Sequence, residues 1–300
     1  MNARVVRISN DEYHRSFEVS KSDLALFADA PRLYQFYKRQ GHPSKPPTDS
    51  MIIGSAAHAM ALEPELFRKL FYIVPELTPD GKKLIRSTAH KFEGCWNNHV
   101  AAAGLRTILR EQDIPKIEGI AGALIKNPTS RILLESRKGQ PGFAEHAIEQ
   151  SIFWTDDEWG IDCRCKPDDL RSDDVCLDLK VTESISPAAF AKSAADFMYD
   201  LSVAHIAAGF QDLTGRPLKE YVFICVSQTA PYLISCFSAM EKFDGRQSVF
   251  DIGNHRRRNL LRRMKDCLQS DHWPEYVEGV VPMSFPPWVV KEIEKNSEGM

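Results

Sequence analysis

The chain has 300 residues and a formal net charge of −3, with 43% hydrophobic and 26% charged residues, a composition typical of a globular protein. No window approaches about eighteen consecutive apolar residues and the N-terminus has no apolar signal core, so we expect a cytoplasmic protein without membrane contact. The seven cysteines contain no CxxC pair, which argues against disulfides and iron–sulfur clusters, and the negative charge restricts any nucleic-acid contact to local basic patches.

The first predicted element is a short helix that begins after Ser20 or Ser22, either of which can cap its N-terminus. Its apolar residues are Leu24, Leu26 and Phe27. Pro31 ends this helix or begins the next one. A basic run with prolines follows, and it forms a solvated loop or contacts phosphate. Its members are Lys38, Arg39, His42 and Lys45.

A helix of small residues is predicted over Met51 to Glu65. Its glycine and alanines allow close packing against a sheet or another helix. His58 is the polar residue in its middle, and such a histidine is either packed and hydrogen-bonded or a metal ligand. We expect Glu63 to be a structural residue at the helix end.

Residues 79–140 are predicted to be predominantly helical and to form an inserted subdomain, with a break near Asn127 and Pro128. A strand is then predicted from His146 to Trp154, with Glu149, Ser151 and Phe153 on one face. Glu149 is either an exposed strand residue or part of a carboxylate cluster.

Two further strands are predicted, from about Ile161 to Asp168 and from Val175 to Val181, joined by a polar turn at residues 171–174. On the second strand the period of two places Asp178 and Lys180 on one face. A hairpin between these strands carries Asp168 toward Asp178. The alternative is a solvated hairpin in which Asp178 and Lys180 form a weak ion pair.

Two carboxylates and a lysine have a definite chemical use when they converge. Carboxylate oxygens bind Mg²⁺ and leave coordination sites for water and a phosphate oxygen. The metal lowers the pKa of its bound water, while a lysine orients the nucleophile or stabilises the transition state.

The remainder of the chain is predicted to alternate helices and strands. Helices are expected over Pro187 to Ala194 and Ala195 to Leu213, followed by two β-rich runs, EYVFICVSQ and PYLISCF, as outer strands. The last helix carries a dense set of cations on an amphipathic pattern, which is either ordinary surface or a contact for phosphate. Its cations are His255, Arg256, Arg257, Arg258, Arg262, Arg263 and Lys265.

Several of these stretches together resemble the exodeoxyribonuclease VIII (RecE) C-terminal nuclease family of phages and prophages, related to lambda exonuclease and the RecB nuclease domain. Pro167-Asp168 with Asp178-Leu179-Lys180 resembles the PD-(D/E)XK signature. The other matching positions, in chain order, are Tyr13-His14, Ser20-Lys21-Ser22, Pro31, Gly54 to His58 with Leu62-Glu63-Pro64, Glu149, Tyr199 and Trp273-Pro274 with Tyr276. Ser202 departs from the family, which has glutamine in the Tyr-x-x-Gln motif.

The resemblance implies an α/β (α+β) restriction-endonuclease-like core, a mixed central sheet flanked by helices. We expect one domain over residues 1–278, with the insertion at about 79–140 and a peripheral tail at 279–300. Asp168, Asp178 and His58 would bind Mg²⁺ or Mn²⁺, Lys180 would position the water, and Glu149 would complete the catalytic site. DNA would contact residues of the last two helices, namely Arg256, Arg257, Arg262, Tyr199 and Ser202.

The implied activity is a 5′-to-3′ exonuclease on double-stranded DNA that exposes 3′ single strands for recombination. The resemblance also implies a homo-oligomeric ring and a single-strand annealing protein as partner. Two alternatives stay open. One is an endonuclease with the same site, and the other is an inactive DNA-binding relative, which the departure at Ser202 allows.

Overall fold

The computed structural model describes residues 3–43, 46–76, 93–135, 148–289 and 293. The strands in these ranges are β1 (Arg4–Val6), β2 (Phe71–Val74), β3 (Thr107–Arg110), β4 (Ser151–Asp156), β5 (Ile161–Cys165), β6 (Asp169–Leu170), β7 (Val175–Thr182), β8 (Glu220–Ser227) and β9 (Ile234–Ser238). Helices α1 to α5 are Asn10–Arg15, Lys21–Asp29, Pro31–Tyr34, Asp49–Leu62 and Pro64–Leu70. Helices α6 to α11 are Glu93–Ala103, Ile114–Lys126, Pro128–Glu135, Pro187–Asp196, Tyr199–Thr214 and Val249–Ser270.

A four-stranded mixed sheet with the order β6-β7-β8-β9 forms the centre of the fold. Strands β7 and β8 are parallel and pair from Val175 with Glu220 through Thr182 with Ser227, whereas β6 and β9 are antiparallel to their neighbours. Since parallel neighbours need a crossover, α9 and α10 connect β7 to β8. The predicted α/β architecture, a mixed sheet flanked by helices, is confirmed.

Two apolar layers cover the two faces of β7 and β8. Leu177, Leu179 and Ile224 pack with residues of α4 and α7 on one face. On the other face, Tyr221 and Phe223 pack with residues of α2, α9, α10, α11 and the sheet β1-β4-β5. Burial on both faces explains the continuous apolar runs of these strands. Polar side chains on β7 are therefore surrounded by protein.

Local sequence signals explain where the flanking helices begin. Ser20 caps α2 and Ser248 caps α11, and in each case the acid three residues later, Asp23 or Asp251, completes a capping box. Helix α2 ends at Asp29 and Pro31 begins the next helix. In the part of the chain that the structure describes, no helix has the length and apolar composition needed to cross a membrane.

The predicted hairpin between residues 161–168 and 175–181 is wrong in its pairing. Strand β5 ends at Cys165 and pairs with β4, in a separate antiparallel sheet. On the edge of β7 opposite β8, the two-residue strand β6 takes the predicted place of β5, and it pairs through Asp169 with Leu177 and Leu170 with Cys176. The chain therefore changes sheets at residues 166–168, and Asp168 lies in this connection.

Four other element predictions need correction or fall partly outside the described ranges. Strand β8 lies inside its sheet, between β7 and β9, so it is not an outer strand. Strand β4 begins at Ser151, and the last helix before β8 begins at Tyr199 instead of Ala195. Residues 107–110, predicted as part of a helical region, form a strand parallel to β2.

The described part of the predicted insertion otherwise contains helices α6, α7 and α8, and the expected break at Asn127 and Pro128 is present. Residues 79–92, 136–140 and His146 lie outside the described residues. Ile117, Ile120 and Leu124 of α7 pack in the same apolar layer as β7. The division at residue 278 stays a prediction.

Close contact between α10 and α11 depends on Gly253. A Cβ built at this position would lie 1.9 Å from the backbone oxygen of Asp200. We predict that Gly253→Ala destabilises the fold by about 1–3 kcal/mol or more, because the backbone of α10 would have to move. Thermal or urea unfolding measures this loss.

Gly122→Ala is the matched control, since Gly122 lies inside helix α7 with nothing within 4 Å of its Cβ position. This substitution should stabilise the protein by about 0.5–1 kcal/mol through helix propensity. Equal stability of the two variants would contradict the close packing of α10 on α11.

Candidate active site

A group of acids and a lysine lies along the edge of strand β7, where β6 covers only part of that edge. Beyond Leu177, the amide of Leu179 donates a hydrogen bond to the Asp168 carboxylate, with 2.8 Å between nitrogen and Oδ2. The chain connection from β5 to β6 thus places an acidic side chain where a neighbouring strand would supply a carbonyl. This contact brings Asp168 to the strand that carries Asp178 and Lys180.

The side chains of His58 and Glu149 lie close to that of Asp168. The Nδ1 of His58 on α4 is 3.5 Å from Oδ2 of Asp168. One ligand atom each from His58, Glu149 and Asp168 lies within 4.8 Å of the other two. The predicted convergence of these three residues is therefore present, although their roles as ligands stay predictions.

Glu149 reaches this group from a turn and not from a strand. It precedes β4 and adopts a left-handed conformation with φ of 54°, so it does not share a strand face with Ser151 and Phe153 as predicted. Its amide donates to the backbone oxygen of Asp168 at 3.2 Å. Its carboxylate pairs with Lys166 at 2.9 Å. Its backbone is thus tied directly to the turn that carries Asp168.

Asp178 and Lys180 share one face of β7, as the period of two predicts. The ammonium of Lys180 donates to Oδ1 of Asp178, and the hydroxyl of Tyr221 on β8 donates to Oδ2 at 2.6 Å. Asp178 is only 5% exposed. Among the described residues it is not part of the three-ligand group of His58, Glu149 and Asp168.

The charges at this site shift one another's protonation. Burial, followed by the negative charge of Asp178, raises the pKa of Asp168 well above its ordinary value. Burial by itself lowers the pKa of Lys180, but the carboxylates of Asp178 and Asp168 outweigh it and hold this pKa above its ordinary value. Burial and then Lys180 lower the pKa of His58. Lys180 is therefore an ammonium and His58 a neutral imidazole at neutral pH.

The donor set fits a hard divalent cation. Two carboxylates and a neutral imidazole offer oxygen and nitrogen ligands at short separation, and Mg²⁺ and Mn²⁺ accept such ligands. The raised pKa of Asp168 shows that its negative charge is poorly compensated by the protein alone. A cation among His58, Glu149 and Asp168 would supply that compensation.

Two further residues, Tyr199 and Lys21, also lie near Lys180. Tyr199, the first residue of α10, has its ring centroid 5.1 Å from the Lys180 nitrogen. Lys21 donates to the backbone oxygen of Phe197 at 2.7 Å and lies 5.8 Å from the same ring. Burial, then the charge of Lys180, lowers the pKa of Lys21 to about 8. Tyr199 was expected to contact DNA, whereas Lys21 appeared only as part of a matching motif.

The predicted DNA-binding residues have different surroundings. Arg257 is buried, 2.6 Å from Asp156, so the prediction that it contacts DNA is wrong: its charge is used inside the protein. Arg256 pairs with Asp200 at 3.2 Å and Arg262 with Asp266 at 3.3 Å, and both keep a partly exposed side chain. Ser202 is half-buried on α10. DNA contact by Arg256, Arg262, Tyr199 and Ser202 stays a prediction.

Sequence reasoning missed Tyr221 and Lys166. Tyr221 lies 43 positions beyond Asp178 in the sequence, and only the parallel register of β7 and β8 brings the two together. Lys166 does have a local signal, because it directly precedes Pro167 and Asp168. Its ammonium bonds to Asn10 at 2.5 Å as well as to Glu149, and so joins α1 to the site.

Comparison with known proteins places this geometry in context. Residues 20–281 match a family model described as a PDDEXK-like domain of unknown function (DUF3799). A crystal structure from Eubacterium rectale, named “Putative exonuclease”, is similar with a TM-score of 0.55 and 14% sequence identity. The match covers 95% of this chain and 98% of that one, and at this identity it supports the fold. A search of curated proteins finds no significant match.

The raised pKa of Asp168 predicts an unusual effect on stability. An acid whose pKa is raised by folding destabilises the folded state above its unfolded pKa, about 3.9, and this cost disappears at lower pH. In EDTA at pH 8, we expect Asp168→Asn to raise Tm by about 2–4 °C, the shift that roughly 1 kcal/mol produces in a large domain. Excess Mn²⁺ should stabilise the wild type more than the variant.

Asp174→Asn is the control, for which we expect a change in Tm of the opposite sign. The carboxylate of Asp174 accepts bonds from Arg216 and Lys219 at 2.6 and 2.9 Å, which hold its pKa below the ordinary value. Its replacement should lower Tm at pH 8, with a wild-type response to Mn²⁺. A lower Tm for Asp168→Asn in EDTA would contradict the destabilising effect of the Asp168 charge. Equal stabilisation of that variant and the wild type by Mn²⁺ would contradict the assignment of Asp168 as a metal ligand.

Proposed function

This chain belongs to the PDDEXK-like family, and we propose that it is a metal-dependent deoxyribonuclease that hydrolyses phosphodiester bonds. The observation that carries the proposal is the convergence at β7 of Asp168, Asp178 and Lys180 with His58 and Glu149. Carboxylates beside a protonated lysine can bind a divalent cation and a negatively charged phosphate together.

In this proposal the acids and the histidine bind Mg²⁺ or Mn²⁺. Asp168, His58 and Glu149 supply the group of ligand atoms found within 4.8 Å, and Asp178 adds a carboxylate from β7. When bound, such a cation lowers the pKa of a water ligand and neutralises charge on the phosphate.

Lys180 acts as a charge partner in this proposal. Its raised pKa keeps it protonated, so it donates hydrogen bonds to the attacking water or to phosphate oxygens and does not accept the proton. Its bond to Asp178 limits the positions that its ammonium can take. The centroid of the Tyr199 ring lies 5.1 Å from the same nitrogen.

We further propose that the substrate is double-stranded DNA, cleaved from its 5′ ends to leave 3′ single strands for recombination. Support comes from the order of the motifs that resemble the RecE-like family and from the name of the Eubacterium rectale protein. Arg256, Arg262, Tyr199 and Ser202 would contact the DNA. A ring-shaped homo-oligomer, an annealing protein as partner and a cytoplasmic location are parts of the same proposal.

Degradation of linear duplex DNA tests the proposal directly. Duplexes labelled at either the 5′ or the 3′ terminus are incubated with the protein in Mg²⁺ or EDTA, beside a covalently closed circle. Early release of the 5′ label, in Mg²⁺ only and with an intact circle, is expected. A cut circle would indicate an endonuclease, and intact DNA bound by the folded protein would indicate an inactive relative.

Lys180→Ala should lower turnover by roughly 10²-fold or more, because a charge partner of the transition state is lost. Lys192→Ala is the matched control, since Lys192 on α9 has 82% of its side chain exposed and should leave the rate unchanged. Single-turnover cleavage at saturating Mg²⁺ measures both rates. Wild-type turnover by folded Lys180→Ala would contradict the assignment of the site.

A further inference from the structure

Tyr221 is a buried polar residue that the PD-(D/E)XK signature does not include. It lies on β8 with none of its surface exposed. Its hydroxyl donates to Oδ2 of Asp178 at 2.6 Å. A buried hydroxyl usually needs one hydrogen-bond partner, and here that partner is a carboxylate of the candidate active site.

The strand register explains how Tyr221 reaches Asp178. Across the parallel pair, Tyr221 is opposite Cys176 and Asp178 is opposite Phe223. The tyrosine therefore extends diagonally over the sheet face to the residue two positions further along β7. Its ring packs against Phe223, with 5.1 Å between centroids. Packing of the ring and the length of the side chain together fix the position of the hydroxyl.

Both oxygens of Asp178 are thus held. Lys180 bonds to Oδ1 while Tyr221 bonds to Oδ2. A carboxylate has about four lone-pair sites, so these two bonds leave acceptor capacity for a cation. Burial, and then the charge of Asp178, raises the pKa of Tyr221 well above its ordinary value, so the hydroxyl keeps its proton.

We propose that Tyr221 is a positioning residue, whose hydroxyl fixes the Asp178 carboxylate in the orientation needed to bind the catalytic cation and to hold Lys180. The inference rests on the proposed function, because it assigns Asp178 to metal binding. Partners that orient metal ligands typically change metal affinity by about 10- to 100-fold when they are removed. Tyr221 is expected to act in that range.

Tyr221→Phe tests the inference because it removes one oxygen and keeps the ring. The measurement is the dissociation constant for Mn²⁺ or Mg²⁺ without DNA, obtained by fitting the logarithmic rise of Tm with metal concentration. We expect a dissociation constant roughly 10- to 100-fold higher than for the wild type. A loss of folding stability alone would lower Tm and leave this constant nearly unchanged.

Tyr34→Phe is the matched control. Tyr34 is also buried, but it packs between Phe27 and Trp273, away from the candidate site. This variant should keep the wild-type metal dependence. The same titration in Asp178→Asn should show no further weakening when Tyr221→Phe is added, because residues that act through one group are not additive.

Several outcomes would overturn the inference. These are a wild-type metal dependence in folded Tyr221→Phe, full additivity with Asp178→Asn, and failure of Tyr221→Phe to fold, which would assign the hydroxyl to the fold. The proposed function is judged separately, by DNA cleavage. A wild type that binds metal and cuts no DNA would contradict the nuclease while the titration still decides the role of Tyr221.

Discussion

The hydrogen bond from the amide of Leu179 to the carboxylate of Asp168 connects the sheet with the candidate active site. Strand β6 is only two residues long, so the edge of β7 becomes available just where Asp178 and Lys180 project from it. A carboxylate completes the hydrogen bonding of that edge and at the same time stands beside a second carboxylate. Because β6 is short, Asp168 can bond to the backbone of β7 at Leu179, and its negative charge then lies close to that of Asp178.

Two buried carboxylates close together destabilise the folded protein, and the surrounding packing keeps them in place. Burial and like charge raise the pKa of Asp168, while Lys180 partly compensates. Apolar layers on both faces of the sheet keep these side chains in place. Active sites often store such unfavourable interactions, which a ligand or transition state relieves. Here a divalent cation would be that ligand.

A second set of buried charges stabilises the fold away from the candidate metal group. Arg164 is 1% exposed, 3.2 Å from Asp23, and it joins the N-terminal segment to β5. His205 is fully buried, with its Nε2 near the carbonyl oxygens of Val19 and Arg164. Burial, then the charge of Arg257, lowers the pKa of His205 to about 3, so this histidine stays neutral. Arg257, which looks like part of a DNA-binding surface in the sequence, therefore belongs to the internal structure.

Much of the fold could be predicted from local patterns, and the failures have a common physical cause. Ser20, one of two candidate caps, Pro31 and the alternation on β7 are local signals, and they predicted the start of α2, the break before α3 and the shared face of Asp178 and Lys180. Pairing between strands is not local, so β5 was given the wrong partner. The same limit hid the bond of Tyr221 to Asp178 and the ion pair that buries Arg257, since each depends on residues far apart in the chain.

We propose that His58, Glu149 and Asp168 bind one divalent cation at the edge of β7, and anomalous scattering from crystals of the wild-type protein grown with Mn²⁺ tests this. We expect a strong peak within about 2.0–2.6 Å of a ligand atom from each of these residues. A peak at other residues, or none at saturating Mn²⁺ in crystals of the folded protein, would contradict it.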